Sequence, residues 1–311
     1  MTDEAETTGD EESAEGEPTA DEATDGEPTA DEATDDGYEY DADGIRAGLD
    51  ADFAVEYHET LGSSNDRAKT LAAEGAPETV VVADEQTAPR GREGREWSSP
   101  AGGVWVSLLV WPDAEPAATP LYTLATAVAI TEACREAGVR ARIKWPNDVL
   151  VGTDGDRGGA KLCGVLTESG QTDGSGTDES SRDDDTAQSG DRWLVIGIGL
   201  NANVDPAALP AEADATSLRA ERGADVDRRR LLQTVLDRFD ELRGDPDAVL
   251  PAWREYADTL DRRVRVETPG GTVVGEAVDV RFPGSLVVRT DDGDEVVVTA
   301  GDCEHLRPIG N

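Results

Sequence analysis

Three arginines are set among glycines in the segment RGREGR at 90–95, namely Arg90, Arg92 and Arg95. Glycine opens backbone N–H groups to a ligand and a guanidinium offers donors in a fixed fork, so this spacing suits a phosphate or carboxylate. It is neither the GxxxxGK[ST] loop nor the GxGxxG fingerprint, and an ordinary charged surface loop is the plainer alternative. A second segment, IKWPNDVL at 143–150, puts Asn147 and Asp148 just after Pro146, a turn signal at the end of a strand. Trp145 beside Lys144 suits a surface for a planar ligand; otherwise it is a turn with a core tryptophan. In KLCGVLTE at 161–168, Lys161 precedes an apolar run containing Gly164, where the stem can pack while the ammonium points into a cleft. The fourth segment, GIGLNANV at 197–204, is a glycine-rich strand ending in Asn201 and Asn203. Its glycines fit a backbone passing close to a ligand, or a tight strand crossing. No Ser–His–Asp or Cys–His arrangement accompanies these segments.

Lysine scarcity sharpens this reading. The 311 residues include 68 Asp and Glu against 28 Lys and Arg, a formal charge of -40, and only Lys69, Lys144 and Lys161 are lysines. Two of the three lie in the second and third segments, which suggests positions where a compact point charge is required rather than any cation. An acidic, lysine-poor, arginine-retaining composition resembles that of a salt-adapted protein from a halophile, with an archaeal source expected; an acidic protein of no special habitat is the plainer alternative. In molar salt the screening length falls to about 3 Å, so self-repulsion is largely damped. The same charge argues against nucleic acid and against an anionic membrane as partners. There is no apolar run of the roughly 20 residues needed to span a bilayer, and no signal-peptide pattern, so the chain reads as cytoplasmic. Cys134, Cys163 and Cys303 are widely spaced, and His58 and His305 are far apart, so neither a disulfide framework nor a structural metal site is expected.

The elements that must position these residues follow from punctuation and period. Residues 1–40 hold 17 acidic residues, no basic one and a tandem decapeptide GEPTADEATD, which reads as a disordered acidic tail. Strands are expected at 53–58, 79–84, 102–111, 141–144, 163–168 and 193–199. Helices are expected from the LGSSND cap at 61–66 to about Glu74, over 120–138, and over 228–242. The Ser-, Gly- and Asp-rich stretch 170–191 is a disordered acidic insert between two strands. From 262 to 310 short alternating strands with PGG, FPG and DDGD turns predict a small closed β-barrel, appended to an α+β domain over 45–260.

Taken in order, GSSND at 62–66, EQTAPRGREGREW at 85–97, KWPNDV at 144–149, KLCGVL at 161–166 and GIGLNANV at 197–204 resemble the catalytic domain of biotin–protein ligases. ATSL at 215–218 and the C-terminal β-domain fit the same pattern, which covers about residues 50–309. The resemblance implies a class II aminoacyl-tRNA-synthetase-like α+β catalytic domain, a mixed sheet flanked by helices, with an SH3-like C-terminal barrel. It implies that ATP, Mg²⁺ and biotin form biotinyl-5′-AMP, from which biotin passes to one lysine of a biotin carboxyl carrier domain. Ser63, Ser64 and Asn65 would lie at the biotin pocket, with Ser64 or Asn65 bonding the ureido group, and Gln86 beside biotin and adenylate. Arg90, Gly91, Arg92 and Arg95 would form the phosphate-side loop. Lys161 would contact the biotin carboxylate and the adenylate linkage, making Lys161, Arg90 and Arg92 the catalytic set. Asn147 and Asp148 would serve the nucleotide side, with Asp148 toward magnesium, and Asn201 the adenine or ribose side; Lys144, Trp145, Gly164 and Gly199 would complete the ligand-binding set.

Two positions depart from the family pattern. Pro89 stands where glycine is usual and stiffens the loop entrance, and Glu93 removes a positive charge near a polyphosphate. The chemistry still explains the residue types. Carboxylate attack on an α-phosphate joins two anions, so fixed cations must offset repulsion and stabilise developing charge. The transfer step needs positioning, since the acceptor amine meets an already activated mixed anhydride. Lipoate–protein ligase is the nearest alternative, and a non-enzymatic biotin- or carrier-binding module is one of another class. Some family members carry an N-terminal helix-turn-helix and act as repressors; the acidic, polar first 40 residues do not suit that role. Both monomer and homodimer are compatible with the resemblance.

Overall fold

The computed structural model describes residues 39–95, 97–152, 159–172, 191–209 and 214–306. The expected disordered tail, apart from Glu39 and Tyr40, and residues 173–190 of the expected insert lie outside the described residues.

Seven strands form one mixed sheet: β1 (Ala54–Leu61), β2 (Thr79–Gln86), β3 (Val104–Val110), β4 (Ala141–Lys144), β5 (Asp148–Val151), β6 (Ala160–Gln171) and β7 (Arg192–Leu200). Their order is β1-β2-β3-β7-β6-β5-β4, with β1 and β2 parallel and every other pair antiparallel. Val80 to Ala83 and all of β3 are buried. These strands read as continuous apolar runs because both faces are covered. On one face Val80, Val82, Val106 and Leu108 join the main core with helices α3 (Thr119–Glu136) and α5 (Arg228–Gly244). On the other, Val81, Leu109 and Val195 meet Ala68, Leu71 and Ala72 of α2 (Ser64–Ala73). The period-2 geometry of strands sends alternate side chains to these two layers.

The expected turn after Pro146 is narrower than the sequence suggests. Trp145–Asn147 form the turn, and β5 starts at once with Asp148, pairing back on β4 with Lys144 opposite Asp148. Short helices α1 (Ala42–Ala47) and α4 (Leu218–Arg222), and the longer amphipathic α6 (Pro246–Tyr256), which buries Val249 and Trp253, are not among the helices expected from the sequence.

The C-terminal region corrects the expected fold class. Strands β8 (Arg263–Thr268), β9 (Gly271–Arg281), β10 (Ser285–Arg289), β11 (Glu295–Val298) and β12 (Asp302–His305) form a separate antiparallel sheet in the order β11-β10-β9-β8-β12. It is open: among the described residues β11 and β12 are its two edges, and no SH3-like β-barrel closes. Alternation along a strand reports which face is buried, whereas closure requires the edges to meet, about which a period-2 pattern says nothing. The residues at the start of β12 are instead engaged by the arginine segment of the other sheet, as described below. The larger α+β body with its mixed sheet is as expected.

Candidate active site

A cavity of about 770 Å³ opens over β6 and β7, between the N-terminus of α2, the arginine segment 90–95 and β12. That volume lies within the range of roughly 300–1,000 Å³ common for small-molecule sites. One end is a closed polar network. Ser63 caps α2, its hydroxyl accepting from Asp66 N–H at 3.4 Å, which sets Ser64 and Asn65 in the first turn facing the sheet. Gln86 Oε1 accepts from Ser64 N at 2.8 Å and from Ser64 Oγ at 3.1 Å, while Gln86 Nε2 donates to Ser99 Oγ at 2.9 Å. Ser107 Oγ lies 2.8 Å from Ser64 Oγ and 2.5 Å from Asn65 Oδ1. Asn65 Nδ2 donates to Glu168 Oε2 at 2.8 Å, and Lys69 pairs with both Glu168 and Asp66. A Cβ at Gly197 would sit 2.2 Å from Asn65 Oδ1, so the glycine there makes room for the amide.

In the middle of the cavity Gly164 and Gly199 are register partners on β6 and β7. Their missing side chains leave a trough that holds the Trp97 indole: a Cβ at Gly199 would come within 2.7 Å of it, and one at Gly164 within 3.5 Å. Lys161 Nζ lies 5.1 Å from the Trp97 ring centroid and 2.6 Å from Asp148 Oδ1. The ammonium is therefore fixed between a carboxylate and a π-face, pointing into the cavity. Asn201 is 2 % exposed; its Nδ2 donates to Thr216 O at 2.9 Å, but its Oδ1 has no partner among the described residues. A buried carbonyl without a donor suits a ligand N–H.

The far end is the arginine segment itself. Arg90 pairs with Asp66, and Arg92 donates to Asn147 Oδ1 at 3.0 Å and to Gly301 O at 3.2 Å. Arg95 pairs with Asp302 at 2.7 Å, on the first residue of β12. Asn147 in turn donates to Val165 O at 2.6 Å, tying the loop to β6. No thiol serves this site as a nucleophile at neutral pH: all three cysteines are buried, and burial pushes Cys134 and Cys303 up to about 12.

Comparison with known proteins adds a decisive observation to this geometry. Residues 60–176 match the profile of the biotin/lipoate A/B protein ligase family, and 259–306 that of the biotin protein ligase C-terminal domain. The chain is 36% identical over 271 residues to the bifunctional ligase/repressor BirA of Bacillus subtilis, spanning 82% of this chain and 76% of that one. It belongs to the biotin–protein ligase family. It is also 34% identical to the biotin–[acetyl-CoA-carboxylase] ligase of Mycobacterium tuberculosis, over 79% of this chain and 86% of the relative. The solved biotin protein ligase from Aquifex aeolicus in complex with biotin and ATP superposes with a TM-score of 0.64 at 25% identity, covering 81% of this chain and 98% of that one.

Within this ligase fold, the cavity gathers most of the residues singled out from the sequence. Ser64, Asn65, Arg90, Gly91, Arg92 and Arg95 line it. So do Lys144, Asn147, Asp148, Lys161, Gly164, Gly199 and Asn201. Gln86 stands behind Ser64, and Ser63 is a helix cap rather than a wall residue. Trp145 is turned away: it is 2 % exposed, its indole N–H donates to Gly284 O at 2.9 Å, and its backbone N–H to Thr259 Oγ1 at 2.9 Å. It joins the two sheets. The sequence reading missed Trp97, Ser107, Glu168, Lys69 and Asp302 as members of the site. Trp97 and Glu168 lay within quoted segments, and Lys69, as the third lysine, carried the same compositional signal as the other two. Nothing local marked Ser107 or Asp302.

Proposed function

We propose that this chain activates biotin with ATP, forming biotinyl-5′-AMP and pyrophosphate, and transfers biotin to one lysine of a biotin carboxyl carrier domain. The carrying observation is that Lys161, fixed by Asp148 and Trp97, stands between the neutral polar network at Ser64 and the arginine segment. This is the layout a carboxylate-to-phosphate reaction needs. The ureido ring would lie at Ser64, Asn65 and Gln86, the carboxylate would reach Lys161, and the polyphosphate the arginines. As the carboxylate oxygen bonds to the α-phosphorus and the bond to pyrophosphate breaks, charge builds on non-bridging oxygens. Fixed ammonium and guanidinium groups stabilise that charge without reorganising. In the second step the acceptor amine attacks the acyl carbon, AMP departs with its bonding pair, and the amine loses a proton. Here the walls act chiefly by orientation and exclusion of water. The partnerless Asn201 Oδ1 would accept from the nucleotide's base or ribose.

Among the described residues no cluster of three or more His, Cys, Asp or Glu side chains is arranged to hold a metal ion. Magnesium would therefore arrive with the phosphates of ATP, Asp148 contributing at most one ligand from the wall, and it would supply charge neutralisation there. The domain reading is a tail over 1–40, a catalytic domain over 45–260 with an insert at 170–191, and a C-terminal domain over 262–310. Its charge of -40 supports work in concentrated salt, in a halophilic archaeal cytoplasm. Among the described residues no helix is long and apolar enough to cross a membrane. The test is incubation with ATP, Mg²⁺, biotin and a carrier domain at high KCl, read by mass. Biotin adduct on the carrier lysine, with none from lipoate, supports the reading. No adenylate and no adduct from folded protein rejects it.

A further inference from the structure

The hydrogen bonds around Ser64 have a direction, and it is set from outside the cavity. A carboxylate only accepts, so Glu168 fixes the Asn65 amide with Nδ2 toward itself and Oδ1 toward Ser107. The carbonyl cannot donate, so the 2.5 Å contact between Ser107 and Asn65 takes the single Ser107 hydroxyl proton. Ser107 Oγ then faces Ser64 only as an acceptor. Gln86 Oε1 already faces Ser64 as an acceptor, since the Ser64 N–H donates to it at 2.8 Å. Whichever of the two the Ser64 hydroxyl chooses, its proton stays inside the network and its free lone pair faces the cavity. Ser64, Asn65 and Ser107 are 3 %, 8 % and 0 % exposed, so water does not scramble this order. Lys69 holds Glu168 in place at 3.0 Å. Burial opposes the Lys69 charge, but Asp66 and Glu168 outweigh it and raise its pKa above the ordinary value.

We propose that Glu168, braced by Lys69, is a positioning residue that makes Ser64 Oγ an acceptor, so that this end of the cavity selects a ligand presenting N–H donors. Resting on the proposed function, this identifies the donors as the ureido N–H groups of biotin, and it explains discrimination against a dithiolane ring, which has no N–H. Without the carboxylate the Asn65 amide can turn over and offer an N–H to Ser107. Ser107 then passes its proton to Ser64, which leaves Gln86 Oε1, 3.1 Å away, as the one acceptor inside the network for the Ser64 proton; whenever the proton leaves that longer contact it meets the ligand, donor against donor. Such reversed polarity leaves buried groups unpaired and is strongly selected against.

The experiment measures biotin affinity by calorimetry in the intact chain at high KCl, alongside the KM for ATP. Glu168→Gln keeps the shape and removes the charge. It is expected to weaken biotin about tenfold, as a charge-assisted hydrogen bond is replaced by a neutral, reversible one, with KM for ATP within about twofold. In an Asn65→Ala background the same Glu168→Gln change is expected to do nothing further, because its route to the ligand is gone. Unchanged biotin affinity in folded Glu168→Gln protein overturns the proposal. So does a parallel rise in the KM for ATP, or an undiminished loss in the Asn65→Ala background, since either marks a general structural role. If the unaltered chain binds no biotin, the proposed function itself fails, an outcome distinct from these.

Discussion

The two ends of the cavity are built in opposite ways. At the Ser64 end the polar groups partner one another across α2, β2, β3 and β6, with Ser99 the one partner outside a regular element, and the partners are neutral except for Glu168 at the rim. At the arginine end the cations sit on an irregular segment, and the chain's own acceptors occupy them: Asp66 on Arg90, Asn147 and Gly301 O on Arg92, Asp302 on Arg95. The first end is preorganised for a small, neutral, directional ligand. Under the proposed function, the second exchanges its internal partners for a polyphosphate. Preformed recognition and exchangeable charge thus divide one site between a rigid floor and a segment clasped by a second sheet.

Lys161 belongs to the rigid part although it serves charge chemistry, and its removal is the strongest test of the division. Lys161→Ala is expected to slow adenylate formation by about 10²–10³-fold, the scale for losing a preorganised electrostatic stabiliser, while biotin affinity falls far less. Pyrophosphate release in single turnover reads it. A loss below about tenfold would mean the arginines alone suffice.

Matched glycine substitutions compare the ends directly. Gly197→Ala brings a Cβ to 2.2 Å from Asn65 Oδ1 on a strand that cannot give, and should weaken biotin by at least about 30-fold, or some 2 kcal/mol, with ATP little affected. Gly94→Ala meets nothing nearby but sits at φ +73°, so it should cost only backbone strain of about 1 kcal/mol and act on the nucleotide side. Equal effects of the two on biotin would erase the contrast.

This contrast also marks what the sequence could reveal. Buried strands such as TVVVAD and GVWVSLLV, the Ser63 cap and the segments bearing Lys161 and Asn201 were legible because period, capping and glycine spacing are local. The trough under Trp97 was not: it depends on Gly164 and Gly199 being register partners, which is a property of strand pairing. Trp145 looked like a ligand platform because a Lys-Trp-Pro turn says nothing of which sheet the indole packs against. The open C-terminal sheet escaped for the same reason, since edges are defined by what they fail to pair with.

The clasp on the arginine segment depends on how β12 is seated, and that seat is acid-sensitive. His305 on β12 is 5 % exposed, its Nε2 is 3.1 Å from Thr259 Oγ1, and its Nδ1 lies 3.6 Å from Asp258 without a hydrogen bond. Burial, then the charges of Lys144 and Arg262, lower its pKa from 6.5 to about 3. The unfolded chain therefore binds the extra proton first, and stability should fall as pH drops from about 6.5 toward about 3. Burial raises the pKa of Asp258, which works in the opposite sense and blunts the slope. His305→Gln should flatten the acid limb of a denaturation midpoint against pH curve. An unaltered slope would place the acid-sensitive group elsewhere.

The smallest effect tests whether the clasp is a competitor or a support. Asp302 and Arg95 are about half exposed, at 52% and 53%, so their pair should contribute about 0–1 kcal/mol to stability, less in high salt. Asp302→Asn should therefore leave the melting temperature nearly unchanged. If Asp302 only parks Arg95 until a phosphate replaces it, the KM for ATP should fall about two- to threefold, and the advantage should shrink as KCl rises. A KM that rises instead would show that the contact with β12 holds the arginine segment in its binding form, and the two ends would then both be preorganised, one by its own floor and the other by a neighbouring sheet.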